Sequence, residues 1–151
     1  MARKRSVPGL MLVHRDAERE PAEHRRTEIH DADPSAVPVI PVRMTEAWLL
    51  VDEAAIRRAA DNPHGRMPLD LPPVRRLETV PDPKSVLRDA LLTASDVTGP
   101  RRRRRFERDL PDRIDRLASL IVDFRELRQL DAFRTFEEAL GSGLDRAGIP
   151  P

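Results

Sequence analysis

Two short runs of β-forming residues are the only strand signals in this chain. They are LMLV at residues 10–13 and AVPVIPVRM at residues 36–44. A continuous apolar run is typical of a strand buried on both faces, as in a parallel sheet. In the second run, Pro38 and Pro41 each remove a backbone donor and favour a sheet edge. Two such strands make a poor sheet alone, so we expect either strands from a further chain or a missing N-terminal part of a larger α/β domain.

Helical signals follow both runs. Residues 20–33 have a thin apolar stripe and predict a weak helix that begins at Pro21. The segment TEAWLLVDEAAIRRAA, residues 45–60, predicts one continuous helix with Thr45 as its N-cap. A strand, a crossover helix and a second strand imply parallel pairing. The fold class we predict is therefore α/β, with a small parallel sheet.

Three more helices are predicted in the second half of the chain. One begins at Asp82 and Pro83, in the pattern of an Asp cap followed by Pro at the first helical position. The next has a regular apolar stripe, formed by Leu110, Ile114, Leu117, Ile121 and Phe124. A last helix is predicted after Asp131 and is expected to fray around Gly141 and Gly143.

These elements predict four segments. Residues 1–8 form a basic N-terminal tail, and residues 9–62 form a strand-helix-strand-helix core. Residues 63–81 form a Pro-rich loop, and residues 82–147 form a helical C-terminal region. We expect the α/β part to be an incomplete domain.

Composition excludes several classes of function. The chain has 151 residues and no cysteine, which excludes disulfides and thiolate metal sites. Basic residues number 27 and acidic residues 26, so no global field favours nucleic acid or anionic lipid. We find no apolar run long enough to span a membrane and no signal peptide, and we expect a soluble, cytoplasmic protein with no membrane partner.

Carboxylates follow the first strand. Asp16 and Glu18 are two residues apart, so their side chains point the same way in extended backbone. Glu46 begins the helix after the second strand, and the carboxyl ends of parallel strands share one edge, where ligands bind. Such oxygen ligands suit Mg²⁺ or Mn²⁺, which can activate a water for attack on a phosphoryl group. Alternatively, these acids are solvated loop and helix-cap residues.

Arginines are the other candidate binding residues. The run Arg101, Arg102, Arg103, Arg104 and Arg105 could contact a nucleic-acid backbone, as could Arg15 beside His14. Alternatively, the run is a solvated loop paired with nearby acids, and Arg15 is the solvated end of a strand. The acids in question are Glu107, Asp109, Asp112 and Asp115. Phe106 alone provides no stacking platform for single-stranded bases.

Four blocks of the sequence resemble a bacterial family of domains of unknown function. They are LMLVHRDAERE, VPVIPVRMTEAWLLVD, VPDPKSVLRDAL and DFRELRQLDAFRTFEEAL, of which MTEAWLL and DPK are the more specific parts. The core of that family is similar to the Toprim fold of topoisomerases, primases and OLD-type nucleases. The resemblance implies that Asp16 and Glu18 bind a divalent metal, with Glu18 where the usual pattern has Asp. In that family a further glutamate, on an earlier strand, completes the metal site. That glutamate has no counterpart here. Glu46 matches the EAW block of the family.

Two hypotheses of function follow. The first is a Toprim-like protein that hydrolyses phosphodiesters in DNA or RNA with Mg²⁺ or Mn²⁺, or a degenerate form of one, beside an ATPase partner. In it, Asp16 and Glu18 hold the metal, Glu46 is a supporting ligand or base, and the arginines contact phosphate. The second is a non-catalytic module whose sheet edge and C-terminal helices dock on an ATPase or another protein.

Overall fold

A computed structural model describes residues 9–17, 20–42 and 45–150 of the chain. It divides the protein into two compact units. Unit 1 comprises residues 1–42 and 131–151, and unit 2 comprises residues 43–130. No helix in the described ranges is both long and apolar enough to cross a membrane.

Unit 1 contains two strands and two helices, namely β1 (Leu12–His14), α1 (Ala22–Ala32), β2 (Val37–Val39) and α7 (Asp131–Ala147). The strands pair in parallel, with Leu12 opposite Val37 and His14 opposite Val39. Both helices pack against β2. The prediction of a small parallel sheet with a crossover helix is confirmed, in a chain that is otherwise mostly helical.

The first strand is not buried, contrary to the sequence prediction. Met11 and Leu12 are 54% and 50% exposed. Within the described residues the sheet has only two strands, so β1 has a neighbour on one side alone. The buried cluster of this unit lies instead between α1 and the segments that flank the strands, at Ala17, Ile29, Ala36 and Ile40.

Helix α7 continues through both glycines that were expected to fray it. A Cβ added at Gly143 would lie 2.5 Å from Cγ2 of Val37 and 2.9 Å from Cδ1 of Leu10. A Cβ at Gly141 would meet nothing within 4 Å. Gly143 therefore allows α7 to approach β2 closely, whereas Gly141 faces open space.

Alanine at these two glycines is expected to change stability in opposite directions. Gly143→Ala forces a methyl against the stiff Val37 side chain, and we expect the free energy of unfolding to fall by about 1–2 kcal/mol. Gly141→Ala adds only helix propensity, and we expect a gain of about 0.5–1 kcal/mol. Urea unfolding of both variants measures this difference. Equal effects of the two substitutions would contradict the packing of α7 on β2.

Unit 2 has helices α2 (Glu46–Leu49), α3 (Glu53–Ala59), α4 (Pro83–Ser95), α5 (Pro100–Arg108) and α6 (Leu110–Leu120). Two 3₁₀ helices, Val74–Thr79 and Arg125–Gln129, contact each other. The first of them lies in the segment predicted as a Pro-rich loop, and its Leu77 is fully buried.

The helix predicted over residues 45–60 is two helices with a break between them. Oδ1 of Asp52 accepts a hydrogen bond from the Ala55 amide at 2.8 Å and caps α3. Thr45 makes no side-chain capping bond to α2. An Asp side chain can replace helical backbone hydrogen bonds in this way, and it begins a new helix inside an apolar stripe that reads as continuous.

The helices predicted at Asp82 and over the regular apolar stripe are confirmed. Oδ1 of Asp82 accepts a hydrogen bond from the Ser85 amide at 3.0 Å, and Pro83 occupies the first turn of α4. In α6, Leu117 is fully buried, and α3 packs against both α4 and α6. The stripe ends earlier than predicted, because Phe124 lies beyond the end of α6 and is 37% exposed.

Candidate functional site

The structure describes two of the three residues of the predicted carboxylate site. Asp16 follows β1 in unit 1, where its Oδ1 lies 3.2 Å from Nε2 of His14. Glu46 is in the first turn of α2, in unit 2, and Glu18 lies outside the described residues. In the part of the chain that the structure describes, no group of three or more His, Asp or Glu residues could hold a metal ion.

Arg15 has a carboxylate partner inside unit 1. Its Nε lies 3.3 Å from Oε2 of Glu28, which also accepts a hydrogen bond from Arg25 at 3.1 Å. The Arg25 hydrogen bond, with a smaller contribution from the charge of Arg15, lowers the pKa of Glu28. A phosphate at Arg15 would therefore compete with a carboxylate that is already in place.

The arginine run forms a helix, not the loop that the self-paired interpretation of the sequence assumed. Helix α5 begins at Pro100, after Gly99 at a φ of 86°, and includes all five arginines of the run. Pro suits the first helical position, and arginine is among the better helix formers. All five side chains are exposed, and Phe106 is the buried residue of this helix.

One face of α5 is a stripe of arginines. Arg101, Arg104, Arg105 and Arg108 recur at helical spacing on the side opposite the buried Phe106. We call these four residues the arginine stripe. It extends about 10 Å along the helix axis. Arg102 and Arg103 lie off the stripe, on the flanks of Phe106.

The stripe is only partly neutralised by nearby acids. Nε of Arg105 and Nε of Arg108 lie 3.9 and 3.6 Å from the carboxylate of Asp109, which they share. Off the stripe, Arg103 pairs with Glu107 at 3.0 Å. Among the described residues, Arg101 and Arg104 form no ion pair.

The start of α5 strengthens the positive potential of the stripe. Its first turn contains no acidic residue, and Gly99 provides no side chain to cap it. The backbone amides of a helix start present partial positive charge, which adds to that of Arg101 and Arg104. Of the four acids predicted to pair with the run, Glu107 and Asp109 do so, whereas Asp112 and Asp115 form no ion pair in the described ranges.

Arg108 belongs to the stripe although the sequence interpretation did not include it. It follows Phe106 and Glu107, outside the uninterrupted run. The helical spacing from Arg101 to Arg108 was the available signal, and it has meaning only once the run is assigned to a helix.

Helix α5 is held in unit 2 by Phe106 and Arg113. The Arg113 guanidinium lies 4.3 Å from the centroid of the Phe106 ring. Its Nη1 donates to the Ala59 carbonyl at 2.8 Å and to Oδ2 of Asp61 at 2.7 Å. Arg116 donates to the other Asp61 oxygen at 2.5 Å. Hydrogen bonds from Arg113 and Arg116 lower the pKa of Asp61 and keep it ionised.

Comparison with protein-family models, curated proteins and solved structures gave no match to this chain. The resemblance to a Toprim-like family stays a prediction from the sequence blocks. The arginine stripe is the candidate site that the geometry supports best.

Proposed function

We propose that this protein binds the phosphate backbone of a nucleic acid through the arginine stripe of α5. The proposal rests on one observation: four exposed arginines share one helical face, and two of them have no carboxylate partner in the described ranges. The guanidinium group donates two parallel hydrogen bonds to phosphate oxygens. A helix that presents such groups along one face can contact successive phosphates.

The surroundings of the stripe favour contacts to the phosphate backbone of a nucleic acid over contacts to its bases. Phe106 is 4% exposed and faces Arg113, so it offers no surface on which a base can stack. Contacts to phosphate position a protein on a nucleic acid but contain no sequence information. We therefore expect binding to DNA and RNA duplexes with little sequence preference and strong dependence on salt.

Salt dependence of binding tests the proposal. Fluorescence anisotropy with a labelled DNA duplex would compare the parent with a variant in which all four stripe arginines are replaced by Gln. Each phosphate contact that is lost reduces the slope of log affinity against log salt by about 0.9. For four lost contacts we expect the magnitude of the slope to fall by up to about 3.6, and the low-salt affinity to fall by more than about tenfold.

A control variant removes the same charge from another part of unit 2. It replaces Arg66, Arg75, Arg76 and Arg88, all exposed, by Gln. We expect it to keep most of the parent's affinity, because it changes the net charge of the protein but leaves the arginine stripe in place. Equal losses in the two variants, or parent binding that does not respond to salt, would contradict a site on α5.

Metal-dependent phosphodiester hydrolysis is the chemistry that the Toprim resemblance implies for such a protein. The described residues do not form a ligand set, so we derive no catalytic step from them. The hypothesis assigns Asp16 and Glu18 to the metal and Glu46 to a supporting role. It is compatible with binding of a nucleic-acid phosphate backbone by α5 and has its own test.

Calorimetric titration with Mg²⁺ or Mn²⁺ tests the metal hypothesis. It predicts that the parent binds the ion and that Asp16→Ala weakens binding by about tenfold, as loss of one charged ligand would. Asp31→Asn, an exposed acid on α1, is the matched control and should bind as the parent does. A parent that binds neither ion would overturn the metal hypothesis and leave backbone binding in place.

The exposed first strand favours a second candidate function, docking on another protein. Met11 and Leu12 are large apolar side chains just before and at the first position of β1, which has a strand neighbour on one side alone in the described residues. Such an edge can pair with a strand of a partner. An ATPase is the partner that the family resemblance implies. A parent protein with no nucleic-acid affinity would favour this function over the first.

A further inference from the structure

We infer that unit 1 contains a binding pocket for a small organic anion, formed by α1, α7 and the segment around β2. The inference is independent of the arginine stripe, which belongs to unit 2. The pocket has a volume of about 170 Å³. Basic and hydroxyl side chains line one part of it, and apolar side chains line the rest.

Each helix contributes its pocket residues from a single face. Helix α1 contributes Arg26 and His30, which are four residues apart, and α7 contributes Ser142 and Arg146 with the same spacing. Residues four apart lie one above the other on a helix. The two faces therefore present paired donors to the same space.

The small residues of α7 leave this space open. Ala139 lies on the same face as Ser142 and lines the pocket. Gly143, between Ser142 and Arg146 on that face, lets the helix approach Val37 of β2. The close contact of α7 with β2 thus keeps the walls of the pocket in place. A larger residue at 139 or 142 would fill the pocket.

The polar groups of the pocket match an anion. In the described ranges, the side chains of His30, Ser142 and Arg146 have no hydrogen-bond or ion-pair partner, whereas Arg26 pairs with Glu23 one turn earlier. None of the described residues that line the pocket is a carboxylate. The neighbouring acid Asp33 is occupied, because its Oδ1 accepts hydrogen bonds from the amide and hydroxyl of Ser35 at 2.8 and 2.6 Å.

The apolar part of the pocket indicates that the ligand has a hydrocarbon body. Ile29 and Ala36 are 6% and 5% exposed, and Pro38 adds a rigid ring to the wall. The volume is similar to the engineered cavity of about 150 Å³ that holds benzene. A carboxylate or phosphate monoester on a small ring therefore fits both the size and the polarity of the pocket.

Titration followed by amide NMR of the whole chain tests the inference. The probes are benzoate, phenyl phosphate, inorganic phosphate and the neutral benzyl alcohol. We expect benzoate or phenyl phosphate to shift the amides of His30, Ser142 and Arg146 in a saturable manner. Benzyl alcohol should bind at least about tenfold more weakly, because it cannot form a charge-assisted hydrogen bond. Saturation by inorganic phosphate alone would show that the apolar part is not used and would overturn the stated ligand class.

Three variants locate the binding. Arg146→Gln removes a charge from an exposed position and should weaken the ring anions by about tenfold. Ser142→Leu should abolish binding by filling the pocket, and Arg134→Gln, on the same helix outside the pocket, should leave it unchanged. Equal binding by the parent and by Arg146→Gln, or no saturable shift with either ring anion, would overturn the inference.

Discussion

Replacing Leu117 by Ala is expected to lower the free energy of unfolding by about 3–5 kcal/mol. Leu117 is fully buried on α6, which packs against α3. The substitution removes three carbon atoms from a tightly packed site and leaves a cavity that the surrounding helices fill only partly. A loss of this size is a large fraction of the stability of an ordinary domain.

Urea unfolding followed by circular dichroism measures this effect. Val122→Ala is the matched control, because Val122 lies just after α6 and is 88% exposed. We expect the control to stay within about 0.5 kcal/mol of the parent. Similar losses in the two variants would contradict the placement of Leu117 in the core of unit 2.

Arg113→Ala is expected to lower the free energy of unfolding by about 2–3 kcal/mol. The substitution removes the hydrogen bonds to the Ala59 carbonyl and to Asp61. It also removes the cation–π contact with Phe106. A hydrogen bond to a charged group contributes about 1.5–3 kcal/mol, and Arg113 is mostly buried, with 19% of its side chain exposed.

Arg116→Ala provides the control for Arg113. Arg116 donates to the same carboxylate, but 51% of its side chain is exposed. We expect its loss to cost less than about 1 kcal/mol, as is usual for exposed ion pairs. If both variants lose the same stability, the Ala59 and Phe106 contacts of Arg113 contribute nothing.

Acid provides a second readout for the same contact. The folded state lowers the pKa of Asp61. The contribution of Asp61 to the free energy of unfolding is therefore present above the unfolded pKa, about 3.9, and disappears as pH falls through the lower folded pKa. The stability difference between the parent and Asp61→Asn should therefore be constant near neutral pH and shrink in acid. A difference that grows on acidification would contradict the ion pair.

Elements with a capping residue or a regular apolar stripe were predictable from the sequence. The start of α4 at Asp82 shows the first kind of signal, and the buried Leu117 of α6 shows the second. The parallel pairing of β1 with β2 also followed from the order of elements. In each case local propensity and packing favour the same structure.

Two of the errors arose where the surrounding fold determined the outcome, and a third arose from a local helix cap. Gly143 reads as a helix breaker, but its contact with Val37 requires a residue without a side chain. The apolar LMLV run reads as a buried strand, yet β1 has one strand neighbour in the described residues. Asp52 interrupts an apolar stripe that looks continuous, because one side-chain cap decides where α3 begins.

The candidate sites were predictable only in part. The arginine run was identified from its composition, but the stripe requires the helical geometry of α5, which brings Arg108 onto the same face. The pocket of unit 1 combines side chains from α1 and α7, including His30 and Arg146. No sequence pattern links residues so far apart in the chain.

The discontinuity of unit 1 has a consequence for the way the protein is synthesised. Val37 meets Gly143 about a hundred residues later in the chain, so this contact must wait until α7 has left the ribosome. Unit 2 is continuous in sequence and can fold while the later residues are still being made. Until α7 arrives, the part of β2 that it packs against remains uncovered. Val37 therefore stays uncovered in the nascent chain while unit 2 is being made.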